Sequence, residues 1–194
     1  MAQIQTRSEP DIRGAPAPDP ALDLASSFAD TRALSEALVA PLSDADATIQ
    51  SMEDASPAKW HLAHTTWFWE TFLLREHAPG YTLFDERWPF IHNSYYEAEG
   101  ERIARFSRGM LSRPTLDEIL AYRAHVTEAM GALLENPEHE PLIRLGIAHE
   151  QQHQELLLTD IKHALFQNPL GPAIWQGDDA LTEAHKSDLG WHTH

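Results

Sequence analysis

Along most of the chain's middle, large apolar residues return every three or four positions, and that spacing predicts helices rather than strands. The first predicted helix runs from about Ala21 to Val39, with Leu22, Leu24, Phe28, Leu34 and Leu38 forming a broad stripe. Asp19-Pro20 marks its start and Pro41 its stop. A second helix opens at Ser56-Pro57, where serine can accept a bond from an orphan amide and proline suits the first helical position. It continues to His77 and ends before Pro79-Gly80. Its stripe of Trp60, Ala63, His64, Trp67, Phe68 and Leu74 places His64 among large apolar side chains. Thr115 with Glu118 three residues on is a capping box, and opens a third helix that reaches about Glu135 before Asn136-Pro137. The fourth begins near Glu138 or Glu140-Pro141 and ends at Gln167, before Asn168-Pro169.

No strand-like alternation persists beyond a few residues, and no internal repeat is visible. Between the second and third helices lies a long connection, Ala78 to Pro114, dense in aromatics. It is far longer than the usual ~2–8 residues between bundle helices, so it is expected to hold a short helix near Tyr95–Phe106 and to act as a functional flap. Four helices with one long crossover predict an all-α four-helix bundle over residues 21–170. Residues 1–20, rich in proline, alanine and charge, are expected to be a disordered leader. Residues 171–194 keep no helical period and are expected to be a tail or a truncated linker.

Composition narrows the chemistry. The chain has no cysteine, which removes disulfides, thiolate nucleophiles and cysteine-held metal clusters together, so any metal must sit on nitrogen and oxygen ligands. Lys+Arg 14 against Asp+Glu 30 gives a net charge of −16, and no basic stripe offsets it, so nucleic acid is not an expected partner. No apolar run approaches the ~18–20 residues that span a bilayer, and the N-terminus has no secretory signature. The expected setting is the cytoplasm, without a membrane partner.

The candidate chemistry centres on His149-Glu150-Gln151-Gln152-His153. Histidines four apart on a helix lie one turn above each other, so both rings can reach one ion. Leu142, Leu145 and Leu156 stand at helical spacing from the pair, which predicts that it faces inward. His61 and His64 on the second helix supply imidazoles from a facing element. Three neutral nitrogen ligands with open positions suit zinc or ferrous iron. A lone histidine on an apolar face is ordinarily a hydrogen-bonded core residue. A pair facing a third ring is less easily explained that way. His77, His92, His125, His139, His163, His185, His192 and His194 lack such company and read as surface or loop residues. The same five residues match the zinc-protease pattern H-E-x-x-H, with glutamate as base, but Thr159 stands where its extended form needs another ligand.

Trp60-His61-Leu62-Ala63-His64-Thr65-Thr66-Trp67-Phe68-Trp69-Glu70, then Asn93-Ser94-Tyr95-Tyr96, then His149 to Leu158 resemble the N-terminal domain of the ergothioneine-biosynthesis sulfoxide synthases. That domain is a DinB-like metal-binding bundle, and the similarity covers roughly Leu34 to Pro169. The resemblance implies a non-haem Fe(II) held by His64, His149 and His153. It implies an activity that uses dioxygen to join a cysteine-type thiol, cysteine or γ-glutamylcysteine, to hercynine (trimethylhistidine) as a sulfoxide. Gln152 matches the glutamine that touches the hercynine imidazole, and Arg105 and Arg108 fall where relatives hold the thiol substrate's carboxylate. His61 matches no ligand and is expected to pack against or support the site.

Those enzymes continue into a formylglycine-generating-type domain with a catalytic tyrosine, whereas this sequence stops at His194. The expectation is a metal-binding half that binds its ion but turns over poorly without that domain, either as a fragment of a longer enzyme or as a half whose partner is separately encoded. Tyr95 and Tyr96 would at most line the pocket. Two other readings stand beside it: a self-sufficient DinB-like hydrolase or thiol transferase using Zn or Ni, and a bundle used only for association or sensing, with its aromatic loop as the interface.

Overall fold

A computed structural model of the chain describes residues 20–94 and 100–175, with side chains of the first helix from Leu24 onward. The expected leader and most of the expected tail lie outside the described residues, as do Tyr95 and Tyr96. Every regular element among the described residues is helical: α1 Pro20–Val39, α2 Asp44–Thr48, α3 Ala58–Trp69, α4 Arg75–His77, α5 Trp88–His92, α6 Leu116–Leu134 and α7 Glu140–Gln167. A π-helical turn, Glu70–Leu74, joins α3 to α4. Single 3-10 stretches occupy Arg105–Met110 and Pro137–His139.

The expected four long segments are present, and α3 is the axis on which α1, α6 and α7 pack. All twelve residues of α3 are buried, so it has no solvent face. The sequence pattern predicts a stripe instead, and Lys59, Thr65 and Thr66 fall off its apolar spacing. They are tolerated inside because each has a partner, as a buried polar group must. Lys59 reaches Asp44 (3.6 Å), and Thr65 and Thr66 bond back to the Leu62 carbonyl. Apolar anchors from every side close over the helix, among them Phe28, Val126, Met130, Ile143 and Leu157.

A buried ionic knot ties the four long helices together. Glu150 of α7 accepts bonds from Arg32 (3.1 Å) and Ser35 (2.7 Å) of α1, Trp69 (2.9 Å) of α3 and Arg123 (2.8 Å) of α6. A second buried carboxylate, Glu70 in the π turn, accepts from the Tyr122 hydroxyl (2.6 Å), the Tyr81 hydroxyl (2.7 Å) and the Phe84 amide (3.1 Å). It thereby fastens the long connection to the bundle.

Local corrections follow from individual bonds. Ser56 does not cap α3, which starts after Pro57 with no side-chain cap. Its hydroxyl accepts from Arg108 and its amide donates to Asp160 instead. The unpredicted α2 carries a capping box of Ser43 and Asp46. Of the expected 95–106 helix, residues 95–99 lie outside the described residues, and among the rest only the last two fall in a helical element, the 3-10 stretch. Thr115 and Glu118 form the predicted capping box of α6.

Candidate metal centre

His64 enters the site from the buried axis. Its ring lies between Trp60 (centroids 4.7 Å apart, 10° between planes) and Trp67 (5.4 Å, 15°), so it can neither tilt nor swing. Its Nδ1 donates to the His92 carbonyl at 2.6 Å, and a carbonyl can only accept, so the lone pair stays on Nε2. His149 and His153 follow one another on α7 with centroids 4.7 Å apart. One nitrogen from each of His64, His149 and His153 lies within 4.8 Å of the others.

The histidine pair does not lie on the apolar face of α7, as the leucine spacing predicts. Leu145 and Leu156 are exposed, and the face buried in the core carries Ile143, Gly146, Ile147, Glu150, Leu157 and Ile161. His149 and His153 stand on the flank of that face, half-buried, where the helix borders a cavity. His61 also differs in character from a packing residue. Its Nδ1 lies 2.9 Å from Nδ1 of His153, and its Nε2 lies 3.0 Å from Asp160 Oδ2.

The electrostatics leave these rings neutral. Burial, reinforced by the neighbouring imidazoles, pushes His64 well below the usual histidine value. Burial lowers His149 to about 4, and burial with His61 and His149 beside it lowers His153 to about 2. Burial likewise lowers His61. A neutral imidazole is the form that binds a metal. His149 Nδ1 is buried with no hydrogen-bond partner, a polar atom that its protein surroundings leave unmet. Three convergent neutral nitrogens fit a four- to six-coordinate zinc or ferrous ion with positions left open.

The cavity beside them holds about 260 Å³. Its wall includes the three histidines together with Arg105, Arg108 and Gln152. The Arg108 guanidinium lies 3.4 Å above the Trp60 ring and donates to Ser56 (2.9 Å) and Ser94 (3.2 Å) hydroxyls. The Trp60 ring thus contacts both the Arg108 guanidinium and the His64 imidazole. Gln152 is exposed, on the turn between the two α7 histidines. Larger hollows of about 370 Å³ beside Trp88 and about 330 Å³ beside Trp175 border no histidine or cysteine.

Glu150 plays no part in this cavity. Both its oxygens are taken up by the ionic knot, and its burial is complete. It cannot serve as the general base that the H-E-x-x-H pattern would require, which excludes the protease reading. Of the histidines read as surface or loop, His92 is buried, with its ring near Trp88 and Tyr122 and its carbonyl fixing His64. His139 is buried too, with its ring tilted 35° against that of the exposed His77 at 4.5 Å. His163 meets the Ser51 hydroxyl (2.7 Å), and His125 is exposed. His185, His192 and His194 lie outside the described residues.

The sequence reading missed Asp160. Its signal was present, since seven residues past His153 is two helical turns along the same face. Ser56 and Ser94 carried no such signal, because their meeting depends on where Arg108 comes to lie. No helix among the described residues is long and apolar enough to cross a membrane. The family model described as the DinB superfamily matches residues 27–157, from within α1 to just past His153. No curated protein matches the chain.

Proposed function

The chain belongs to the DinB superfamily, and from that premise we propose that it is the metal-binding half of a non-haem iron(II) sulfoxide synthase. The reaction joins cysteine or γ-glutamylcysteine to hercynine with dioxygen, as in ergothioneine biosynthesis. The observation that carries this reading is one cavity wall shared by three ligating imidazoles and by Arg105, Arg108 and Gln152.

Each of these residues has a task. His64, His149 and His153 would hold the ion as neutral donors. When bound, ferrous iron would supply the place where dioxygen and a thiolate are activated. Arg108, fixed by Ser56, Ser94 and the Trp60 ring, offers a guanidinium to a substrate carboxylate, and Arg105 adds a second cation to the same wall. Gln152 can donate to or accept from an imidazole at the mouth. The buried indoles of Trp60 and Trp67 on either side of His64 would keep water from its ring. A formylglycine-generating-type domain, in the same or a separate polypeptide, would be the partner that completes the pocket.

Three neutral imidazoles without a carboxylate also suit zinc, and this donor set supports the second reading of a hydrolase or thiol transferase using Zn or Ni. Anaerobic ferrous loading followed by nitric oxide separates the two. The expected result is one iron per chain, with a nitrosyl spectrum that shifts when cysteine or hercynine is added. Tight zinc binding, with a ferrous nitrosyl spectrum indifferent to both compounds, would overturn the sulfoxide synthase reading and leave the hydrolase or transferase.

A further inference from the structure

We propose that Asp160 and His61 are a positioning pair that decides which nitrogen of His153 faces the metal; this rests on the reading of His64, His149 and His153 as ligands. Metal-binding histidines usually donate their second N–H to a carboxylate, a carbonyl or water. His64 obeys that rule through the His92 carbonyl. His153 does not. Its Nδ1 meets another imidazole nitrogen, His61 Nδ1, at 2.9 Å, and either atom could carry the hydrogen between them.

The choice is made at the far end of the chain of bonds. Asp160 Oδ2 lies 3.0 Å from His61 Nε2 and also accepts the Ser56 amide at 2.8 Å. A carboxylate only accepts, so the His61 hydrogen sits on Nε2 and its Nδ1 is bare. The hydrogen between the rings must then come from His153 Nδ1. His153 Nε2 keeps its lone pair for the ion. Without the carboxylate, His61 could hold its hydrogen on Nδ1, and His153 would accept through Nδ1 and carry a hydrogen on Nε2, which blocks the ligand. His61 and Asp160 are both buried, on α3 and α7 respectively, so water does not replace either partner easily.

Ring nitrogen-15 spectra of the metal-free full chain test the assignment directly, and zinc titration against a competing chelator tests its consequence. Wild type is expected to show His153 as the Nδ1–H tautomer. Asp160→Ala should give a mixture of tautomers and bind one zinc about 10- to 100-fold more weakly. Asp160→Asn retains an acceptor oxygen and should recover most of the affinity. His153→Ala should lose stoichiometric zinc. An Nε2–H His153 in wild type, or an Asp160→Ala protein with wild-type zinc affinity and an unchanged tautomer, would overturn the positioning role while leaving the three-histidine site intact. Wild type that binds no zinc, cobalt or iron would overturn the site reading itself, and the spectrum would still report the tautomer.

Discussion

Glu150→Ala is the sharpest test of how the bundle is held together. The substitution leaves the guanidinium groups of Arg32 and Arg123 buried side by side without their counter-charge. Removing one partner of a buried ion pair costs about 3–5 kcal/mol. A second route gives a similar figure. Burial pushes the Glu150 carboxyl up, but Arg32 and Arg123 outweigh it and hold it at about 2, against an ordinary 4.5. That difference corresponds to roughly 3 kcal/mol at neutral pH. The knot as a whole contributes less than this, because burial and Arg123 pull Arg32 down to about 10, a sign of two cations held against repulsion. For a domain of this size the loss should lower the melting temperature by roughly 6–20 °C. Calorimetry of the metal-free protein measures it. The sign with pH is also fixed: a depressed carboxyl stabilises above its unfolded value, so this contribution fades as pH falls from 4.5 toward 2. A Glu150→Ala protein that melts within a degree or two of wild type would refute the reasoning. So would one that keeps its stability and loses only a metal-dependent activity, since that is how a catalytic base behaves.

Other outcomes follow from the same coordinates. Burial holds His149 near 4 and His92 near 3 in the folded chain, so the unfolded chain takes up protons first as pH drops below 6.5. Stability of the metal-free protein should fall by roughly 1.4 kcal/mol per pH unit for each such group between 6.5 and about 4, and chemical denaturation across that range checks it. Gly146→Ala should destabilise although alanine favours helices by about 1 kcal/mol, because its Cβ would lie 2.6 Å from Cζ3 of Trp69. That ring is locked by Glu150 and Phe28, so overpacking of about 1–3 kcal/mol should win; a rise in melting temperature would contradict it. Tyr122→Phe removes the 2.6 Å bond to Glu70 and should cost about 1.5–3 kcal/mol in a urea titration.

The long helices were legible because their ends are chemically marked: Thr115 with Glu118, and Asn168-Pro169. The π turn at Glu70–Leu74 left no mark, and the partners of the Glu70 carboxylate, Tyr81 and Tyr122, lie outside the helix that carries it. Nothing in the sequence marks Arg32 and Arg123 as buried, because the carboxylate that makes their burial tolerable stands on another helix. At the site, four-residue spacing sets His149 above His153, and both turn toward the buried His64, although Leu145 and Leu156, on which the inward reading leans, are exposed. Helical periodicity finds a face; it does not say whether that face meets core or cavity. No spacing rule points to Arg105, Arg108 and Gln152 together, only the family resemblance does, and the fold brings all three to the cavity wall beside the histidines.

The encased helix α3 divides the labour of change unequally. One side of the cavity is built on a segment in which every position is hemmed in, so almost any replacement there strains packing before it alters binding. The opposite rim, at Gln152 and Leu156, is open to water and largely released from structural duty. On the proposed function, substrate preference would drift, or be engineered, along that rim while the histidine framework stays as it is.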